Sequence, residues 1–200
     1  MPEANLILLS GGKSSRMGQN KALLPVAGKA NILRILDELR PAFNSCILVT
    51  NHPEAYRSIM PDIDMVPDLY PGLGPLAGIH AGLKASTSDC NLVVACDMPF
   101  VSKDLASFLV NQIADYDAVV PRLAGRNQPL FAVYRKRNLS MLETCLEEQM
   151  LRVNFFLTKL NVHYLDETAL PKELDLERIF FNMNHPEEYE QVQKWASEKD

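Results

Sequence analysis

Short, almost wholly apolar runs separated by longer amphipathic stretches recur through the first 150 residues of this chain. The runs cover Asn5–Leu9, Cys46–Thr50, Met65–Pro67, Leu92–Cys96, Ala118–Val120 and Leu130–Tyr134. Helix-like segments lie between them, near residues 29–39, 53–59, 76–86, 102–114 and 138–149. In the first of these, Ile32, Ile35, Leu36 and Leu39 form one stripe, and Pro41 stops it. Ser102 ahead of Asp104-Leu105 reads as a helix N-cap. A strand that is apolar at nearly every position has no face to give to water. Such strands alternating with helices predict a mostly parallel central sheet with helices on both faces. Ligands of such sheets bind beyond the carboxyl ends of the strands. That rule singles out the loop from Ser10, then Asn51, Asp68 and Asp97.

Two hundred residues are enough for one domain with a substantial core, so the expectation is a single domain over 1–200. After residue 150 the pattern weakens. A helix is expected around Phe155, Phe156 and Leu160, short strands at Val162–Leu165 and Ile179–Phe181, and a last helix over Glu187–Ala196 behind Pro186. The lone Trp195 in that helix reads as a packing anchor. Net charge is −5, so nothing draws the whole molecule to nucleic acid or to an anionic membrane, and a polyanion must be met by a local basic patch. There is no 18-residue apolar run and no charged-then-apolar leader, which predicts a cytoplasmic protein with no membrane span. Cys46, Cys90, Cys96 and Cys145 form no C-x-x-C pair and read as buried free thiols, and the four scattered histidines do not suggest a zinc site.

The basic patch lies in Leu8-Leu-Ser-Gly-Gly-Lys-Ser-Ser-Arg-Met-Gly-Gln-Asn-Lys21. Gly12-Lys13-Ser14 copies the end of a P-loop, but the motif needs a glycine where Ile7 stands. The physics of an anion cradle still holds. Small residues let backbone N–H groups turn toward phosphate, and Lys13, Arg16 and Lys21 bring positive charge with no acid among them. An ordinary exposed basic loop is the plain alternative.

Other stretches admit two uses each. Gly72-Leu-Gly74-Pro-Leu-Ala77 has the letters of a dinucleotide fingerprint, but it does not follow a first strand, and Pro75 lacks the N–H a pyrophosphate wants. A turn entering a helix whose small residues, Gly78 among them, permit close packing or close ligand approach fits better. Asp97, directly after an apolar strand, could cap a turn or hold Mg²⁺ beside a triphosphate, since magnesium needs only one or two protein carboxylates. Asn182 and Asn184 stand at alternate positions after Phe180-Phe181 and would point the same way if the strand continued, as a second metal contact or as turn chemistry. Arg122 and Arg126 lie in a polar loop that suits either an acceptor's phosphate or an exposed hairpin.

Taken together, Leu9-Ser-Gly-Gly-Lys-Ser-Ser-Arg-Met-Gly18 with Lys21, Pro67-Asp68 with Gly74-Pro-Leu-Ala-Gly78, Ala95-Cys-Asp-Met-Pro-Phe100, Gln128-Pro-Leu-Phe-Ala-Val-Tyr134 and Phe181-Asn-Met-Asn184 resemble one family. The first motif resembles the signature loop of nucleotidyltransferases of the glycosyltransferase-A type, and the set as a whole resembles the molybdenum cofactor guanylyltransferases. The resemblance implies a three-layer, Rossmann-like α/β fold. It implies Lys21, Arg16 and Asp97 as catalytic residues. Leu9, Ser10, Gly11, Gly12 and Gly78 would lie on the nucleotide, Asn51 and Asp68 on base or ribose, and Asp97 with Asn182 or Asn184 on Mg²⁺. The implied reaction joins GMP from GTP to the terminal phosphate of molybdenum-molybdopterin and releases pyrophosphate. Molybdenum-insertion proteins and acceptor molybdoenzymes are the implied partners. Ser10-Gly-Gly12 resembles the guanylyl branch more than the Ala-Ala-Gly of related cytidylyltransferases, although Ser10 departs from its usual alanine. A cytidylyltransferase of the same superfamily and a non-catalytic nucleotide-binding regulator are the rival readings.

Overall fold

The structure, a computed structural model, describes residues 3–11 and 20–198. Its strands are β1 (Ala4–Leu9), β2 (Pro25–Val26), β3 (Lys29–Ala30), β4 (Cys46–Val49), β5 (Asp64–Val66), β6 (Cys90–Ala95), β7 (Ala118–Leu123), β8 (Arg126–Asn127), β9 (Phe131–Arg135) and β10 (Val162–Leu165). Its α-helices are α1 (Asn31–Leu39), α2 (Pro75–Ala85), α3 (Lys103–Asn111), α4 (Leu139–Glu147), α5 (Val153–Leu157), α6 (Leu176–Ile179) and α7 (Pro186–Ser197). The main sheet runs β10-β7-β9-β6-β1-β4-β5, with β8 paired to β7. β1 pairs in parallel with both β4 and β6, and β10 with β7, whereas β9 runs antiparallel between β6 and β7.

β1 shows why these apolar runs become buried strands. All six of its residues are buried, and they divide by parity. Ala4, Leu6 and Leu8 face the layer built by α1 and α3, including Ile32, Ile35, Leu39, Leu105 and Leu109. Ile7 and Leu9 face the other layer, where α2, α4 and α5 contribute Leu76, Ile79, Leu142, Leu146 and Phe156. Helices on both faces of a mostly parallel sheet make the expected three-layer α/β fold. Truncating one of these fully buried leucines to alanine costs about 2–5 kcal/mol.

α2 reaches β1 so closely because it carries glycine. A Cβ on Gly82 would lie 2.3 Å from Ile7 Cγ2, and one on Gly78 would lie 3.3 Å from Leu9 Cδ2. The Ser102 cap forms as expected, its side chain accepting from Leu105 N at 3.2 Å. The four cysteines are free and buried. Burial pushes the thiols of Cys46 and Cys90 up to about 12 and about 11.

Three local expectations are corrected. Residues 53–59 form only a single 3₁₀ turn at Pro53–Ala55 followed by turns. The expected strand Ile179–Phe181 is the end of helix α6 and its exit. Asp175 caps that helix by accepting from Arg178 N, and Phe180 N bonds to Leu176 O, so local polar chemistry overrides three β-prone side chains. Residues 182–185 do not continue as a strand, so Asn182 and Asn184 do not share one direction. A small hairpin not expected from the apolar pattern, β2–β3, turns through Ala27 and Gly28, both with positive φ, 47° and 75°. Against it packs α7, with Val26, Met183, Val192 and Ala196 in a separate apolar cluster. Trp195 is the anchor expected, its ring 4.9 Å from Phe181 and 6.0 Å from Phe100.

Candidate active site

The strand-end rule holds in space. The parallel strands β1, β4, β5 and β6 end side by side, bringing Ser10, Asn51, Asp68 and Asp97 to one edge of the sheet. Backbone bonds knit that edge: Ser10 N to Val49 O at 2.9 Å, Thr50 N to Val66 O at 2.9 Å, and Cys96 N to Leu9 O at 3.1 Å. β9 runs the opposite way, so its entry joins the same edge, with Ala95 N bonded to Leu130 O at 2.9 Å.

Asp97 is fixed through its backbone. Met183 N donates to Asp97 O at 2.9 Å, and the Asn31 amide donates to Cys96 O at 2.8 Å from a fully buried position at the start of α1. Its carboxylate is different: Oδ1 is buried and has no hydrogen-bond partner among the described residues. Burial holds the Asp97 carboxyl above the usual carboxylate range, the Lys21 ammonium pulls it down, and Glu188 adds a further push upward. Lys21 stands within electrostatic reach of this acid and donates from Nζ to Asn184 Oδ1 at 2.7 Å. Glu188 accepts from the backbone N–H groups of Asn184 and His185, which caps α7 and fixes the segment carrying Asn184. Lys21, Asp97 and Asn184 therefore converge from three distant parts of the chain. Asn182 instead turns its amide back to Phe180 O at 3.0 Å.

A second cluster flanks the first. Asn51 Oδ1 accepts from Asp68 N at 2.9 Å, and Asp68 Oδ1 accepts from Tyr70 N at 2.8 Å, so the two residues form one polar unit beyond β4 and β5. Leu9 ends β1, Ser10 is half-buried and Gly11 is exposed. Gly78 is buried against Leu9, and close packing accounts for its missing side chain. Gly12, Arg16 and Lys13 lie outside the described residues. Arg122 sits 3.9 Å over the Tyr164 ring and donates to Asn127, at the same end of β7.

The donor set fits a hard divalent ion. Lys21 interacts both with a carboxylate that has a buried, unpartnered oxygen and with an amide oxygen, and magnesium favours such oxygens while keeping water and phosphate as its other ligands. Among the described residues no group of three or more His, Cys, Asp or Glu could hold a metal by itself. Sequence reasoning missed Tyr56, Asn20, Asn31 and Glu188. Their roles depend on contacts across the fold, and only the Glu at the third position after His185 left a local capping signal.

A mostly parallel sheet whose strand ends gather an acid, a lysine and an amide is the frame of a nucleotidyltransferase of the α/β class. The chain belongs to the MobA-like NTP transferase domain family, whose profile matches residues 6–162. It is 40% identical over 186 residues, 93% of this chain and 90% of the other, to a probable molybdenum cofactor guanylyltransferase of Pelotomaculum thermopropionicum. It is 34% identical over 200 residues, covering all of both chains, to one of Carboxydothermus hydrogenoformans. Among solved structures it resembles molybdopterin-guanine dinucleotide biosynthesis protein A of Archaeoglobus fulgidus, with a TM-score of 0.84, 27% identity, and 97% of this chain and 99% of that one covered.

Proposed function

We propose that this chain transfers GMP from GTP to the terminal phosphate of molybdenum-molybdopterin, with release of pyrophosphate. The single observation that carries the mechanism is the convergence of Lys21, Asp97 and Asn184 at the carboxyl edge of the sheet. The family and the guanylyltransferase relatives support the choice of nucleotide and acceptor over the cytidylyl reading.

The acceptor is a phosphate monoester, already close to dianionic at neutral pH. It needs no general base to become a nucleophile. What the reaction needs is alignment of two anions and cancellation of their repulsion. Lys21 supplies a point charge whose reach is set by Asn184 on one side and by its own turn on the other. Arg16 adds a second cation from the loop. Leu9, Ser10, Gly11 and Gly12 give backbone contacts to the nucleotide, with Gly78 keeping α2 close beneath Leu9. Asn51 uses its oxygen on Asp68 N, which leaves its amide hydrogens for base or ribose beside the Asp68 carboxylate. Asp97 and Asn184 would hold Mg²⁺, with Asn182 the less favoured amide because it is turned onto Phe180 O. When bound, the ion supplies charge stabilisation on the α-phosphate and the departing pyrophosphate.

Among the described residues no helix is long and apolar enough to cross a membrane. A cytoplasmic site of action, beside molybdenum-insertion proteins and acceptor molybdoenzymes, belongs to the same proposal. The test is incubation with GTP, Mg²⁺ and molybdenum-loaded molybdopterin, followed by mass analysis. The guanine dinucleotide should form together with pyrophosphate. A cytosine dinucleotide formed preferentially from a GTP/CTP mixture would overturn the choice of base, and no product with either would overturn the reaction.

A further inference from the structure

Tyr56 lies well away in sequence from every residue discussed as reactive. It is only 1% exposed, in the turn that follows Pro53–Ala55, and packs in the layer with Ile35, Leu48 and Met60. A tyrosine placed there for bulk alone would do as well as phenylalanine. Its hydroxyl, however, meets two polar side chains: Ser10 Oγ at 2.5 Å and Asn20 Nδ2 at 2.7 Å. Ser10 is the first residue after β1, and Asn20 immediately precedes Lys21. One hydroxyl thus ties together the two ends of the cationic loop sequence, ten residues apart in the chain.

The proton inventory orders the network. The Asn20 amide nitrogen can only donate, so the phenol oxygen accepts from it, while the contact with Ser10 Oγ is open to the hydrogen of either hydroxyl, the phenol's own included. Burial pushes the Tyr56 phenol above its ordinary value, so it keeps that hydrogen. Donation of its Nδ2 to Tyr56 sets the plane of the Asn20 amide and directs the other end, Oδ1, onto Ala22 N at 3.1 Å, where it caps the 3₁₀ turn Lys21–Leu23. The chain of contacts runs Ser10, Tyr56, Asn20, Lys21.

We infer that Tyr56 is a positioning residue of the nucleotide site, holding Ser10 at the end of β1 and, through Asn20, the backbone from which Lys21 reaches its substrate. The inference rests on the proposed nucleotidyl transfer for the meaning of the loop. Its physical basis is that residues fixed before the nucleotide arrives lose less conformational freedom on binding it.

The test replaces Tyr56→Phe, which keeps the ring and deletes the hydroxyl. GTP affinity is measured by equilibrium dialysis, and KM and kcat by pyrophosphate release. The dissociation constant and KM for GTP should rise about tenfold, the scale of a lost buried hydrogen-bond pair, while KM for the acceptor stays within twofold. On an Asn20→Ala background, Tyr56→Phe should weaken GTP by less than about threefold further, because the link is already cut. A purely structural role would lower kcat through loss of active enzyme and leave KM and the dissociation constant unchanged, and that result overturns the inference. So does full additivity of the two substitutions. If Tyr56→Phe does not fold, Asn20→Ser, which retains a cap but is too short to reach the phenol, reads the same link. Dialysis is run with GTP and with CTP. Wild-type binding of CTP alone would overturn the proposed base and leave the Tyr56 comparison to be read on CTP. Binding of neither overturns both.

Discussion

Lys21 Nζ donates to Asn184 Oδ1 at 2.7 Å across 163 residues of sequence. The lysine belongs to the connection out of β1 and the amide to the segment entering α7, so the site is complete only when the two ends of the fold have packed together. The hairpin β2–β3 and α7 provide that packing, with Tyr189 OH donating to Pro25 O at 2.6 Å. This arrangement distinguishes Lys21 from the other lysine of the loop. Lys21→Ala is expected to lower kcat/KM by roughly 10²-fold or more, the scale of removing a preorganised charge. Lys13→Ala should cost less than about tenfold, with an effect that shrinks further at high salt. Steady-state kinetics of both variants at two salt concentrations checks the order, and a larger loss at Lys13 would reverse the assignment.

Asp97→Asn should separate stability from activity. Activity should fall on the order of 10²–10³-fold, because an amide keeps the shape but removes the charge. Stability should move the other way. Burial raises the carboxyl in the folded state, so its stabilising contribution is complete below the unfolded pKa and is lost as pH rises through the folded one. At neutral pH without metal the ionised form therefore costs stability, and the Asn variant should melt at a higher temperature. A calorimetric scan in chelator-treated buffer reads this directly.

The same raised carboxyl sets the acid limb of activity. The proposed role requires ionised Asp97, and burial holds its proton to a pH above the ordinary carboxylate range. kcat/KM should accordingly fall as pH drops through that raised value. Added Mg²⁺ competes with the proton and should move the limb to lower pH. A limb unmoved by Mg²⁺ concentration would place the controlling acid elsewhere.

The helix glycines offer a test of packing alone. At Gly82 a methyl would lie 2.3 Å from Ile7 Cγ2, on a stiff β-branched side chain in a fully buried strand. Gly82→Ala is expected to destabilise by about 1–3 kcal/mol despite alanine's better helix propensity. Gly78→Ala meets Leu9 Cδ2 at 3.3 Å, at the strand end, and should cost less. Denaturant midpoints of the two variants give the comparison.

Much of this fold was legible because burial on both faces leaves an apolar run that few other structures tolerate. β1, β4, β6 and β9 fall within a residue or two of those runs, and the strand-end rule brought Ser10, Asn51, Asp68 and Asp97 to one edge. Nothing in Leu130–Tyr134 announced that β9 would run antiparallel, since a buried run reads alike in either direction. Phe180-Phe181 misled for a different reason: the residue that decides the helix there is Asp175, outside the apolar run. Tyr56 and Asn31 were illegible because their polar atoms act on Ser10, Asn20 and Cys96, partners joined to them only by tertiary structure.

The central claim is that Lys21 and Asp97 serve one reacting centre, and a double variant tests it most directly. GTP-dependent pyrophosphate release with molybdenum-loaded molybdopterin as acceptor is measured for Lys21→Ala, for Asp97→Asn and for both together. Residues that act as a unit lose most of their effect once either is gone. The double variant is predicted to fall no more than about tenfold below the worse single one. Losses that multiply in full would show two independent contributions and contradict a shared centre.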